Sequence, residues 1–186
     1  MMLALLAFII APAMQSCKSS KSAAVKESGE VAITTYCSGP DYFSDDEFFR
    51  ANNSGESTSQ SMAKKKAMSN ARLDLAASIQ TQVKAVIDNY FSSYTSGGEI
   101  DDKERYEGLS REVVNQELNG IRTKCEQLVK LENGNYKYYI AIELAGDEIL
   151  NGMKDRISSD EKLKIDFQYE KFKEEFQKEM EQFKDR

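Results

Sequence analysis

The feature that most constrains this chain is a long apolar stripe at helical spacing. Apolar side chains recur every three or four residues over residues 60–91, which places them on one face of an α-helix. Ser57 and Gln60 form a capping-box pattern at its start, and Gly97 and Gly98 would end it. The stripe consists of Met68, Ala71, Leu75, Ile79, Val83, Val86 and Tyr90. Such a helix needs a second layer to cover its apolar face.

The sequence around Asn133 and Gly134 predicts a β-hairpin that can supply this layer. Asn-Gly is typical of two-residue hairpin turns, and the residues on both sides alternate as strands do. At Asn119 and Gly120 the apolar phase shifts by one residue. This shift predicts a β-bulge in one long bent strand over residues 109–131, with a second hairpin as the alternative. Residues 31–37 also predict a strand, ended by Pro40, whereas residues 41–59 and 99–108 predict loops.

The C-terminal part predicts two helices, a short one over residues 147–157 and a second from residue 166. The second carries a narrow apolar seam between Glu and Lys residues. The seam packs either on the chain's own sheet, which we favour, or on another chain. Its members are Ile165, Tyr169, Phe172, Phe176, Met180 and Phe183. The predicted fold class is α+β: a small antiparallel sheet with a bulged long strand, packed on one long helix, plus an amphipathic C-terminal helix.

The first residues have the pattern of a lipoprotein export signal. Residues 1–11 are apolar and uncharged, but a bilayer span needs about 20 residues. A bulky apolar residue, Met14, stands three before Cys17, and the small Ser16 stands just before it. We therefore expect a signal peptide over residues 1–16 and a lipid on Cys17. The alternative is a buried N-terminal helix with an ordinary core cysteine.

The rest of the chain divides into three predicted parts. Residues 17–29 are rich in Ser, Lys and Ala and predict a lipidated flexible tether. An α+β domain over residues 30–157 and the amphipathic helix over residues 158–186 follow. The two other cysteines, Cys37 and Cys125, lie on predicted strands. In an exported protein they either form a disulfide or are two small buried hydrophobic side chains, and spacing alone does not decide.

Composition excludes several kinds of chemistry. The chain contains no histidine, which excludes Ser-His-Asp and Cys-His catalysis and zinc sites built on histidine. Its net charge of -6 argues against nucleic-acid binding, and the lysine run over residues 64–66 is typical of a solvated helix turn. We expect no metal site and no cofactor.

Two groups of aromatic residues are the candidate partner surface. The first lies in the predicted loop over residues 41–59, and the second belongs to the C-terminal seam. Large apolar side chains in such positions either pack on the core or bind a partner. The candidates are Tyr42, Phe43, Phe48 and Phe49, together with Phe172, Phe176 and Phe183.

Three segments together resemble the LPP-twenty family of bacterial lipoproteins. They are residues 67–79 (AMSNARLDLAASI), 113–120 (VVNQELNG) and 134–142 (GNYKYYIAI). The resemblance covers about residues 30–144, and the domain is also similar to the N-terminal module of flagellar assembly protein T. It implies an outer-membrane lipoprotein with a compact helix-on-sheet fold and a role in envelope assembly or host contact. It implies no catalytic residues.

These observations predict a non-catalytic, lipid-anchored envelope protein that binds another protein or a cell-wall component. We expect it at the outer membrane, facing the periplasm. One alternative is a structural envelope protein that self-associates as a homo-oligomer through its C-terminal helix. The other is a tethered hydrolase that uses paired carboxylates, although no pair stands out in the sequence.

Overall fold

The computed structural model describes residues 33–94 and 100–185, so the predicted signal peptide, Cys17 and the tether lie outside the described residues. The elements belong to one compact unit that begins at Thr34. Short 3-10 turns join some of the helices and strands. The elements in chain order are β1 (Phe48–Ser57), α1 (Gln60–Tyr94), α2 (Ile100–Glu117), β2 (Arg122–Lys130), β3 (Tyr136–Ala145), α3 (Gly146–Ser159) and α4 (Tyr169–Glu181).

The three strands form an antiparallel sheet in the order β1-β3-β2, and α1 covers one face of it. Alternate residues of β3 point toward α1 and are buried, and the apolar stripe of α1 meets them. Gly55 of β1 allows α1 to approach closely, because a Cβ there would lie 2.5 Å from the backbone nitrogen of Ala67. We call the sheet face toward α1 the inner face and the opposite one the outer face. The buried residues of β3 on the inner face are Tyr138, Ile140, Ile142 and Leu144.

The predicted α+β fold and the long helix are confirmed, with α1 running from Gln60 to Tyr94. The predicted capping box is wrong, because Ser57 is the last residue of β1. Its hydroxyl accepts a hydrogen bond from the N–H of Ser59 at 3.3 Å. The strand thus passes into the helix within two residues.

The first strand of the sheet is not where the sequence places it. The described part of the predicted strand, residues 33–37, contains no strand, and β1 lies inside the predicted loop over residues 41–59. The middle of β1 is polar, which is why its composition indicates a loop. The strand forms because all ten of its residues pair with β3, which overrides weak local propensity.

The region before β2 is helical, which corrects two predictions. Residues 100–117 form α2 instead of a loop and an extended strand, and residues 118–120 form a 3-10 turn. Tyr106, Val113 and Val114 are buried, so a helical face is hidden among many charged residues. The predicted bulge at Asn119 and Gly120 is wrong. The register instead shifts between Thr123 and Cys125, inside β2.

The hairpin between β2 and β3 is confirmed, with a different loop. The N–H of Leu131 donates to the carbonyl of Asn135 at 2.8 Å, so three residues lie between this closing pair. Gly134 has φ +86°, a left-handed value that favours glycine. A three-residue loop with glycine at this position matches the twist of the strands as well as the expected two-residue turn would.

Both C-terminal helices are confirmed, as α3 and α4. Phe172, Phe176 and Met180 of the seam are buried against the same core as α1 and the sheet. Ile165 lies in a 3-10 turn before α4 and is 75% exposed. Among the described residues, no helix is both long and apolar enough to cross a bilayer.

Candidate functional site

The candidate aromatic surface divides into a buried and an exposed part. Phe49 and Phe172 are fully buried and Phe176 is 3% exposed. The ring of Phe49 meets those of Phe176 and Phe183 edge-on, with centroids 6.5 and 5.9 Å apart. The prediction of a partner surface is therefore wrong for Phe49, Phe172 and Phe176. Phe183 is half-buried in the same cluster, where edge-on packing of rings stabilises the chain's own core.

Tyr42, Phe43 and Phe48 remain at the surface. Phe43 is 53% exposed, and the other two are half-buried. The guanidinium of Arg50 lies 5.2 Å from the centre of the Phe48 ring, which is a cation–π arrangement. These three side chains lie near the start of β1.

A disulfide holds residues 36 and 37 beside β2. Cys37 and Cys125 are bonded, with their Cα atoms 5.5 Å apart, so the disulfide alternative of the sequence prediction is the one the structure contains. Next to it, the rings of Tyr36 and Tyr139 lie 5.6 Å apart. Cys125 pairs with Ala141 on β3, and Ala141 is buried although it lies on the outer face. The bond therefore holds residues 36 and 37 against the outer face.

An ion-pair network joins the same face to the loop before β1. Arg50 donates from Nε to Glu143 at 3.0 Å and from Nη1 to the carbonyl of Phe43 at 2.8 Å. Arg50 also bonds the carboxylate of Asp45, and Lys124 lies 3.4 Å from Glu143. Burial raises the pKa of Asp45, but the hydrogen bonds from Arg50 and from two backbone N–H groups lower it more. The net result is a pKa below the usual value.

Two shallow hollows lie at this end of the sheet. The larger, about 590 Å³, lies between Phe43, Arg50, Lys124 and Phe183. The second, about 450 Å³, is bordered by carboxylates, including Asp46. The ion pairs of Arg50, Lys124 and Lys184 neutralise much of the nearby charge, with Lys184 2.8 Å from Asp46. The described residues contain no group of three or more metal-ligating side chains.

Most of the outward backbone groups of β1 are bonded by other groups of the chain. The Ser44 hydroxyl accepts from the N–H of Arg50 at 2.9 Å and donates to its carbonyl at 3.3 Å. The N–H of Asp45 donates to the carbonyl of Phe48, and the carboxylate of Asp45 accepts from the N–H of Phe48. Asn70 and Lys66 of α1 bond further carbonyls of the strand. We call this side of the sheet the closed edge.

The opposite side, along β2, lacks such partners among the described residues. The register places the N–H and C=O groups of Glu126, Leu128 and Lys130 away from β3. Within residues 33–94 and 100–185, no backbone group bonds them. The carbonyl of Leu128 accepts a bond from the exposed side chain of Gln127, at 3.0 Å. We call this side the open edge. Sequence reasoning missed it because it depends on the order of strands.

Comparison with protein-family models, with curated proteins and with solved structures found no match for this chain. The resemblance to LPP-twenty lipoproteins therefore stays a prediction carried by the three sequence segments. The site is defined by geometry: an outer face with a disulfide and exposed aromatic rings, bounded by one closed and one open edge.

Proposed function

We propose that this chain is a lipid-anchored protein of the bacterial cell envelope, and that its domain binds another protein and carries out no reaction. The observation that carries the proposal is the disulfide between Cys37 and Cys125. Disulfides persist in oxidising compartments and are rare in the cytosol. The bond therefore supports an exported protein.

The same bond isolates Cys17. The chain has three cysteines, and a sulfur in a disulfide cannot also carry a lipid. Cys17 is then the one cysteine left for acylation, and it follows the apolar segment and the small Ser16. Several acyl chains bury many methylene groups at about 0.8 kcal/mol each, which makes such an anchor stable.

The lipid-bearing segment would join the domain close to its candidate binding surface. The disulfide pins residue 37 beside the open edge, 20 positions after residue 17. An extended chain spans at most about 3.5 Å per residue, so this stretch could reach about 70 Å. The open edge and the outer face would thus stay within reach of partners at the membrane surface.

The burial of the C-terminal seam bears on the alternatives. A homo-oligomer built through α4 would need Phe172 and Phe176 at the surface, and both are buried in the chain's own core. The exposed rings of Tyr36 and Phe43 instead lie on the outer face, and the open edge carries backbone groups that no backbone group of the described residues bonds. This placement favours a binding module over a structural protein that self-associates through α4.

Labelling with radioactive palmitate in bacterial cells tests the anchor. The full chain should take up label, and the Cys17→Ser variant should take up none. A Cys37→Ser/Cys125→Ser double variant is the matched control, because it loses two cysteines and should keep the label. An unlabelled wild-type chain that still begins at Met1, or label retained by Cys17→Ser, would contradict the proposal.

A further inference from the structure

We propose that the open edge of β2 accepts an extended, acidic segment of a partner protein as a fourth strand of the sheet. This inference rests on the proposed function, because it specifies what the binding module would bind. Addition of a strand to a sheet edge is a general mode of peptide recognition in which backbone hydrogen bonds supply affinity.

The geometry of β2 suits an added strand. Residues 125–130 pair with β3 in regular register, without a bulge. Along this stretch the outward groups belong to Glu126, Leu128 and Lys130, spaced every second residue as a ladder requires. The exposed Gln127 side chain that bonds the Leu128 carbonyl can rotate away at little cost. The edge is therefore prepared for pairing over about 20 Å.

The two ends of this stretch are held in place. The disulfide fixes Cys125 to Cys37, and the hairpin loop that begins after Lys130 is closed by the bond between Leu131 and Asn135. A strand that is already ordered loses little conformational entropy when a partner pairs with it. The closed edge cannot offer the same site, because Ser44 and Asp45 already occupy its backbone groups.

The charge of the edge selects the kind of segment. The chain as a whole has a net charge of -6, but β2 carries Arg122, Lys124 and Lys130 against the single acid Glu126. Lys124 is paired with Glu143 at 3.4 Å, which leaves Arg122 and Lys130 as the cations of the edge. Glu126 is itself paired with Lys64 at 2.9 Å, and hydrogen bonds from Tyr138 and Lys64 lower its pKa. The edge thus presents a local surplus of positive charge. An incoming strand with carboxylates would complement it.

The charges of β2 oppose a second copy of this chain in one register and favour it in another. An antiparallel pair of β2 strands centred on Glu126 would place Arg122 opposite Lys130 of the other copy. It would also place the two Glu126 side chains opposite each other. Like charges directly opposite in a sheet are destabilising. A register centred on Leu128 would instead place Glu126 opposite Lys130 of the other copy, which is favourable. A monomer in sedimentation of the full chain would therefore support the partner segment as the occupant, and a dimer that Lys130→Glu dissociates would overturn it.

The test measures amide hydrogen exchange by NMR on the full chain in detergent micelles. The probe is a nine-residue peptide of alternating valine and glutamate, and the control peptide has lysine in place of glutamate. The acidic peptide should slow exchange at the N–H groups of Glu126, Leu128 and Lys130 by at least about tenfold. Exchange at Arg50 on the closed edge should not change. The lysine peptide should have no effect.

Charge-reversed variants test whether the positive side chains of β2, and not only its exposed backbone, determine binding of the acidic peptide. Arg122→Glu/Lys130→Glu should weaken binding of the acidic peptide by about tenfold or more. Lys65→Glu/Arg72→Glu on exposed positions of α1 changes the net charge equally and should leave binding within about twofold. If both peptides bind equally, or neither slows exchange along β2, the proposal is overturned. The lysines would then serve only to keep strands from aggregating at the edge.

The anchor and the edge are tested independently. The full chain with Cys17→Ser should bind the acidic peptide as the wild type does, because residue 17 contributes nothing to β2. Palmitate labelling without peptide protection would uphold the anchor and overturn this inference. Peptide protection without labelling would uphold the edge as a binding site and overturn the envelope location.

Discussion

The two edges of the sheet are treated in opposite ways. At β1, two loop residues, Ser44 and Asp45, form hydrogen bonds with backbone groups that face outward. Two side chains of α1 bond further outward groups. At β2, the Gln127 side chain bonds one of the equivalent groups, no backbone group of residues 33–94 and 100–185 bonds them, and charged side chains flank them. An unpaired edge is a hazard, because it can pair with any exposed strand. The difference is consistent with the proposal that the edge along β2 binds a partner, whereas the edge along β1 is bonded within the chain.

The largest expected effect on stability comes from removing the disulfide beside the open edge. Replacing Cys37 and Cys125 together by alanine should lower the free energy of unfolding by about 4 kcal/mol. The bond closes a separation of 88 residues, and its loss restores that freedom to the unfolded chain. Urea unfolding of the oxidised full chain measures the effect. Cys17→Ala is the control and should change stability by less than about 0.5 kcal/mol; a loss under about 1 kcal/mol in the double variant would contradict the structure.

A second variant disrupts the close packing of β1, the strand of the closed edge, against α1. Gly55→Ala should lower the free energy of unfolding by about 3 kcal/mol, because the new Cβ would meet the backbone of Ala63 and Ala67 at 2.6 and 2.5 Å. Gly108→Ala in α2 is the matched control. It has open space around it and should be neutral or stabilising by up to about 1 kcal/mol. Equal effects of the two substitutions in thermal unfolding would rule out the close approach.

A smaller loss of stability is expected at Ser44, whose side chain bonds the backbone of β1 at the closed edge. Ser44→Ala removes the hydroxyl that bonds both backbone groups of Arg50, and should cost about 1 kcal/mol. Exchange at the Arg50 N–H should become faster, toward the behaviour of the open edge. Ser92→Ala is the control, because that hydroxyl donates to the Asp88 carbonyl within α1, away from the sheet. Unchanged exchange at Arg50 would show that Ser44 does not close the edge.

The smallest effect is a dependence on pH at the closed edge. The pKa of Asp45 is lowered in the folded chain, so its contribution to stability is fully present above its usual pKa of about 4. That contribution is lost as the pH falls through the lowered folded value. Exchange at the Phe48 N–H, corrected for the intrinsic rate, should therefore accelerate in this acidic range. Asp45→Asn should remove that pH dependence, and a persistent dependence in the variant would assign it to another group.

The parts of the fold that the sequence predicted are those determined by local pattern. The stripe of α1 and the Asn-Gly hairpin each lie within one continuous segment. β1 was missed because Asn52, Asn53, Ser54 and Gly55 indicate a loop, and only pairing with β3 makes them a strand. α2 was missed because its buried residues are few among charged ones.

The candidate site was less predictable than the fold. Aromatic composition identified Phe43 and Phe48 together with Phe49 and Phe172, but burial, which separates them, is a property of tertiary packing. The disulfide was one of two alternatives until the distance between the two cysteines was known. The open edge has no sequence signature, because an edge exists only once the order of strands is set.

The contrast between the two edges is tested most directly by amide hydrogen exchange of the full chain in micelles, without any peptide. The N–H groups of Glu126, Leu128 and Lys130 should exchange at close to unfolded rates, because nothing in the described chain protects them. Those of Phe48 and Arg50 should exchange at least about a hundredfold more slowly. Equal protection at the two edges, or slower exchange along β2, would contradict the account.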